Sequence, residues 1–88
     1  MARFELQNLD NGQAGGSAET DIIFEMGMMY ASGRDCEVDL VSAHKWFNIA
    51  AIKGCDRAAR RRSELLRHMS KGQIASALHE AREWLKSH

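Results

Sequence analysis

The stretch "SAHKWFNIAAIKG", residues 42–54, decides the fold because its apolar residues recur at helical spacing. Apolar residues three, four, seven and eight positions after the first one lie on a single face of an α-helix. Two large aromatic side chains share this face with three alanines, where a helix packing on an ordinary core would carry leucine and isoleucine. Alanine lets the axis of a second helix come close, so the stretch indicates tight helix–helix packing. These apolar positions are Ala43, Trp46, Phe47, Ala50 and Ala51.

Composition places the chain among small all-α proteins. It has 88 residues, of which 44% are hydrophobic and 27% charged, and it contains no proline. A chain of this length makes one domain, and the absence of proline favours helices over turn-rich β structure. No apolar run approaches the roughly 18 residues of a membrane span, and the N-terminus lacks the continuous apolar segment of a secretory signal. We therefore expect a cytoplasmic protein without membrane attachment.

The charges are divided between the two halves of the chain. Residues 1–44 carry two basic and eight acidic side chains (−6), whereas residues 45–88 carry ten basic and four acidic ones (+6), so the whole chain is neutral. Such an asymmetry steers association with oppositely charged surfaces. A second copy of the same chain is one such surface, so a homodimer stays open as an alternative.

The two cysteines, Cys36 and Cys55, flank the helix of the opening stretch. A helix of about 15 residues is ~22 Å long, whereas the Cα atoms of a disulfide lie within about 7 Å of each other. We therefore predict two reduced thiols that pack as small loop residues, in keeping with the cytoplasm.

Four helices are predicted from apolar periodicity combined with capping residues. Serine, threonine and aspartate at the predicted starts can cap the first free N–H groups, and glycine is typical of the position after a helix. Ser70 followed by Gln73 has the spacing of a capping box. The third helix is predicted to bury Leu65 and Leu66. The four helices run from Ser17 or Thr20 to Gly33, from Asp39 to Gly54, from Asp56 to about Met69, and from Ser70 through Leu85.

The predicted helices repeat in pairs. "SAHKWF" at 42–47 aligns with "EAREWL" at 80–85, which is 38 residues further on, and the first helix aligns with the third at a spacing of 36 residues. A repeat of this length with two helices per unit is typical of an α-solenoid. We therefore predict two stacked antiparallel helical hairpins at 18–88, in which aromatic side chains fill the wedge between hairpins. Residues 1–17, which include "DNGQAGGS", are predicted to form a flexible N-terminal segment.

The segment "FEMGMMYASGRDCEVDLVSAHKWFNIAAIKG", residues 24–54, resembles one Sel-one-like repeat, a relative of the tetratricopeptide repeat. The first unit, 18–54, matches well, whereas the second, 55–88, matches in part and resembles the degenerate capping unit that closes many bacterial proteins of this family. It has Arg62-Ser63 in place of Leu-Gly, and the loop of the first unit has Asp35 in place of a second glycine. The matching positions are Met26-Gly27, Tyr30, Gly33, Asp39, Ala43, Trp46-Phe47, Ala50-Ala51 and Gly54.

No motif in the chain predicts catalysis, a cofactor or a metal site. The sequence has no Ser-His-Asp grouping, and its glycine-rich stretch lacks the lysine and the preceding strand of a phosphate-binding loop. The four histidines have no spacing typical of metal ligands. We therefore expect a non-enzymatic protein.

The arginine-rich stretch "RAARRRSELLR", residues 57–67, has three interpretations. It forms an exposed helix face, a nucleic-acid surface or one wall of a groove for an acidic peptide. A nucleic-acid partner is disfavoured because the isoelectric point is about 6.9 and no aromatic residues interleave with the arginines.

The family resemblance implies an adaptor that binds a protein or peptide through a concave face. In tetratricopeptide-like stacks the first helix of each hairpin lines that face, which implies an apolar floor at Phe24 and Met28, with Ala31 also on the groove, and a basic wall of arginines on the third helix. The ligand implied is a segment with an acidic residue or a C-terminal carboxylate beside an apolar residue. The candidate partner-binding residues are Asp21, Phe24, Met28, Arg57, Arg60, Glu64 and Arg67.

Two alternatives stay open from the sequence. Residues 4–9 could fold back and occupy Phe24 and Met28 in place of a partner. The protein could also be a small structural or inhibitory subunit that associates through the aromatic faces of its second and fourth helices.

Overall fold

Residues 17–88 are described in the computed structural model, and they form four α-helices with no β-strand anywhere in this range. The predicted all-α class is confirmed. The predicted N-terminal segment lies outside the described residues except for Ser17. The helices are α1 (Ala18–Ser32), α2 (Leu40–Ile52), α3 (Asp56–Leu65) and α4 (Lys71–Ser87), and a 3₁₀ turn at Leu66–His68 follows α3.

The helices α1, α2 and α4 begin at predicted capping residues, whereas Asp56 is the first residue of α3 and the Cys55 side chain before it makes no capping hydrogen bond. The Ser17 and Asp39 side chains accept backbone N–H hydrogen bonds at the starts of α1 and α2, each at 3.0 Å. Before α4, the Gln73 backbone N–H donates to Ser70 Oγ at 3.1 Å and the Ser70 backbone N–H donates to Gln73 Oε1 at 2.9 Å, which completes the capping box. Gly33 ends α1 with a φ of 76°, a left-handed conformation that glycine adopts without strain.

The third helix is shorter than predicted. Its α-helical part ends at Leu65, and the 3₁₀ turn continues the chain towards Met69. Leu66 was predicted to be buried and is 43% exposed, so that prediction is wrong. At 100° per residue, Leu66 lies about 80° around the helix from the buried Ala58, whereas Leu65 lies within about 20° of it. The half-buried Leu65 therefore packs on the core in place of Leu66.

The central helix is α2, on which each of the other three helices packs. Its largest fully buried side chains are Phe47 and Ile49, and the Phe47 ring lies 5.6 Å from the ring of Phe24 on α1. Most of the other core positions are small, which lets the helix axes approach closely. These small buried residues are Ala43, Ala50, Ala58, Ala77 and Ala81, each at most 1% exposed.

Gly27 is a point of close approach between α1 and α2. A Cβ atom at this position would lie 2.5 Å from Cδ1 of Phe47, well inside normal contact distance. Glycine is therefore required here by packing, because its backbone conformation is ordinary helix.

Aromatic side chains join α2 to α4. Trp46 and Trp84 meet edge to face with ring centroids 5.7 Å apart, and His88 stacks on Trp84 at 4.1 Å. Cys36 and Cys55 are half-buried free thiols. Within residues 17–88, no helix combines the length and apolar character that crossing a membrane requires.

Candidate partner-binding cleft

A cleft of about 360 Å³ opens between α1 and α3, where the two helices lie side by side against α2. Its walls come from residues one turn apart on each helix, because side chains three or four positions apart share a helix face. The lining residues are Phe24, Glu25, Met28, Arg57, Arg60, Arg61 and Glu64.

Five of the seven predicted binding residues line this cleft: Phe24, Met28, Arg57, Arg60 and Glu64.

The other predicted residues lie elsewhere. Asp21 borders a separate groove on the outer side of α1, and Ala31 lines a smaller cavity next to the cleft. Arg67 is exposed in the 3₁₀ turn and lines none of these cavities. Arg67 lies away from the cleft because α3 ends at Leu65. The 3₁₀ turn that follows has fewer residues per turn than an α-helix, so Arg67 does not share the helix face of Arg57 and Arg60.

Sequence reasoning missed two lining residues, Glu25 and Arg61. Each directly follows a predicted residue, Phe24 or Arg60. A cleft between two helices is lined by side chains from two adjacent positions on each helix. A row of residues spaced three or four positions apart along a helix includes only one of each adjacent pair. Widening each predicted stripe by one position would have identified both residues.

The apolar floor of the cleft is partly covered. Phe24 is only 4% exposed because its ring packs on Phe47 from one side and lies under Arg57 on another. The Cζ atom of Arg57 is 4.4 Å from the centroid of the Phe24 ring, the geometry of a cation–π contact. Phe24 therefore belongs to the core, and Met28, which is half-buried, contributes more open apolar surface to the cleft.

Both acidic residues of the cleft are neutralised by arginines. Glu25 lies 3.5 Å from the guanidinium of Arg34, and Glu64 lies 3.4 Å from that of Arg61. Among residues 17–88, neither Arg57 nor Arg60 has a carboxylate within ion-pair distance. Within the described part of the chain, the cleft thus carries two positive charges without an acidic partner, beside apolar surface.

This arrangement suits a carboxylate ligand. The guanidinium group of arginine presents its N–H donors in one plane, which matches the two oxygens of a carboxylate. An arginine that stacks on an aromatic ring through its flat face keeps these in-plane donors for another partner. Arg57 can therefore bind an anion without leaving the Phe24 ring.

Metal ligation has no support in the described part of the chain. No group of three or more histidine, cysteine, aspartate or glutamate side chains between residues 17 and 88 is arranged to hold a metal ion.

His44 is a buried titratable residue that the sequence did not single out. It lies on α2, is 2% exposed, and its Nδ1 atom has no hydrogen-bond partner among the described residues. Burial lowers the pKa of His44 below its usual 6.5, and the positive charge of Arg62 lowers it further. Arg62 is held in place by a 2.7 Å hydrogen bond that its Nη1 donates to Asn48 Oδ1. His44 does not line the cleft, so its effect is on stability.

Comparison of the chain with protein-family models, with curated proteins and with solved structures gave no match. The fold and the site define the class by themselves. This is a small all-α protein with a cationic, partly apolar cleft between its first and third helices.

Proposed function

We propose that the protein is a non-enzymatic interaction module that binds a partner protein or peptide in the cleft between α1 and α3. The observation that carries this proposal is the pair of uncompensated arginines, Arg57 and Arg60, beside the apolar surface of Met28. A volume of about 360 Å³ is at the small end of ligand sites, so the cleft receives a few side chains of its partner.

The proposed ligand is a segment that carries an acidic residue or a C-terminal carboxylate next to an apolar residue. The carboxylate binds Arg57 and Arg60, and the apolar side chain contacts Met28, whose flexible thioether adapts to different shapes. Nucleic acid is a poor candidate because the chain as a whole is neutral and no aromatic residues interleave with the arginines of α3.

We further propose that α1 and α2 form a helical hairpin of the Sel-one-like, tetratricopeptide-related type, and that α3 and α4, which each pack on α2, are its degenerate second unit. The close approach at Gly27 and the edge-to-face contact of Trp46 with Trp84 support this proposal, since they occupy the positions at which such repeats pack. A cytoplasmic location fits the free thiols of Cys36 and Cys55.

Peptide selection followed by charge reversal tests the function. Random peptides are displayed against the protein, and the selected sequences are synthesised with a fluorescent label and titrated by fluorescence anisotropy. We expect enrichment of an acidic residue or free carboxylate beside a large apolar residue. The Arg57→Glu, Arg60→Glu double variant should bind about tenfold more weakly or worse, since each exposed ionic contact contributes about 0.2–1 kcal/mol and reversal adds repulsion.

Arg67→Glu is the matched control, because Arg67 is an exposed arginine close in sequence that does not line the cleft. It should bind within about twofold of the parent at moderate salt. Equal weakening by Arg67→Glu and by the double variant would mean that only net charge matters and would refute the cleft. If Arg57→Glu lowers helical content, the single Arg60→Glu variant carries the test, since Arg60 makes no ion pair with residues 17–88.

Hydrogen exchange separates this function from the alternative of an aromatic association surface. Binding in the cleft should protect amides of α1 and α3. Protection confined to α2 and α4 would instead support a structural or inhibitory subunit that associates through Trp46 and Trp84. These two rings already pack on each other, which leaves less aromatic surface for a partner.

A further inference from the structure

Three of the five large apolar side chains that are most exposed among residues 17–88 lie on two surfaces outside the cleft. The first, here called the α1 ridge, is the outer side of α1, where Ile22 is 62% exposed next to Met26 and Met29. Ile23 and Gly27, on another side of the same helix, are buried in the core. The α1 ridge is therefore apolar surface that the described fold leaves open.

The second surface, here called the α2/α4 groove, is a shallow apolar depression of about 160 Å³ between α2 and α4. Ile52, which is 59% exposed, and Leu78, which is 40% exposed, form its open apolar surface, and Leu85 lines it as well. This groove has room for about one side chain of the size that the α1 ridge presents.

The two surfaces carry opposite charge. Asp21 and Glu25 border the α1 ridge, and among residues 17–88 Arg34 pairs with Glu25 whereas no basic side chain lies within ion-pair distance of Asp21. Arg82 borders the α2/α4 groove and has no carboxylate within ion-pair distance among residues 17–88. Arg62 adds positive charge beside the groove, because it donates a hydrogen bond to the lining residue Asn48.

We propose that the α1 ridge of one copy docks into the α2/α4 groove of a second copy, head to tail. Apolar side chains then cover one another, and Asp21 approaches Arg82 of the other copy. A symmetric contact of two α1 ridges would place Asp21 of one copy opposite Asp21 of the other. A contact of two α2/α4 grooves would likewise place the two Arg82 side chains opposite each other. Like charges placed opposite each other disfavour both symmetric arrangements.

A head-to-tail contact leaves one ridge and one groove free at the ends of every assembly, so association is open-ended. The contact is small, because a stable interface buries about 1,200 Å² or more in total and each surface here offers only a few side chains. Association is therefore weak and depends on concentration. It also weakens with added salt, since the bordering charges are exposed.

Sedimentation equilibrium tests the proposal with the chain alone. The average mass of the parent should rise above the 9.9 kDa of one chain between about 0.01 and 1 mM. Ile22→Lys in the ridge and Leu78→Lys in the groove should each hold the protein at the monomer mass. Leu66→Lys is the matched control, because Leu66 is exposed to a similar extent as Leu78 and lies on neither surface, so this variant should associate as the parent does.

Mixing the two monomeric variants distinguishes the ridge-to-groove contact from a contact of two ridges or of two grooves. The Ile22→Lys chain keeps an intact groove and the Leu78→Lys chain keeps an intact ridge, so an equimolar mixture should form a pair of about 20 kDa, twice the 9.9 kDa of one chain, and grow no further.

A mixture that stays at the monomer mass would overturn the head-to-tail arrangement, and a parent that is monomeric at the highest concentration would overturn the contact itself. If circular dichroism shows that Ile22→Lys unfolds, Asp21→Lys and Arg82→Glu replace the pair. Each should weaken association alone, and their mixture should restore it.

Discussion

Replacing Gly27 with alanine tests the tight contact between α1 and α2. In an exposed helix interior this change stabilises a protein by up to about 1 kcal/mol, because alanine is the better helix former. Here the added Cβ would lie 2.5 Å from Cδ1 and 2.6 Å from Cε1 of Phe47. The Phe47 ring is 1% exposed and packs on Phe24, so a shift of the ring towards the small cavity that it also borders would disrupt this core contact.

Forcing an extra methyl group into such a packed site costs about 1–3 kcal/mol. After subtraction of the helix-propensity gain, we expect Gly27→Ala to lower the free energy of unfolding by about 1 kcal/mol, which is 4–8 °C in melting temperature for a domain of roughly this size. Urea unfolding measures this change in the free energy of unfolding, with the loss of helix followed by circular dichroism at about 222 nm.

Gly72→Ala is the matched control for this experiment. Gly72 lies in the first turn of α4, where the nearest atom to an added Cβ is Ser70 Oγ at 3.9 Å. With open space around it, alanine should stabilise the protein by about 0.5 kcal/mol. The same substitution therefore has opposite signs at the two glycines.

A Gly27→Ala variant as stable as the parent, or more stable, would refute the packing argument. The double variant Gly27→Ala, Phe47→Leu supplies a further check, because the smaller side chain makes room for the methyl group. Its loss of stability should be less than the sum of the two single losses by about 1 kcal/mol.

Three further predictions concern His44, Arg62 and the cap of α4. Because burial and then Arg62 lower the folded-state pKa of His44 below its usual 6.5, the unfolded chain binds the proton more readily. The free energy of unfolding should therefore be greatest above pH 6.5, the usual pKa of histidine, and should fall as the pH drops below it. Unfolding curves of His44→Gln should show a smaller loss of stability on acidification. Arg62→Gln removes one of the two causes, so the NMR titration of the His44 ring protons should move to higher pH. Ser70→Ala removes the side chain that accepts the Gln73 N–H, and it should lower the unfolding free energy by about 1 kcal/mol in urea.

Local sequence predicted the presence of all four helices, although α3 ends earlier than expected. Ser17, Asp39 and Ser70 cap helices as predicted, and Gly33 ends one, because a cap is a hydrogen bond or a backbone conformation within a few residues. The aromatic and alanine face of residues 43–51 also predicted much of the buried side of α2, since helical spacing places those residues together whatever the helix packs on. The choice of faces on α1 and α3 came from the resemblance to tetratricopeptide-like stacks, and five of the seven candidate residues chosen in this way line a common cleft.

Tertiary structure alone decided the chemistry of the cleft. Arg57 covers Phe24 because α3 lies next to α1, and their positions are 33 residues apart in the chain. Which arginines remain uncompensated depends on the partners that Glu25 and Glu64 find, and any of several neighbouring arginines was a candidate partner from sequence alone. The sequence determined the helices through contacts between residues that are only a few positions apart in the chain. The charge and depth of the cleft followed only from how α1 and α3 pack side by side on α2, since ionic and packing contacts between helices depend on their separation and relative rotation.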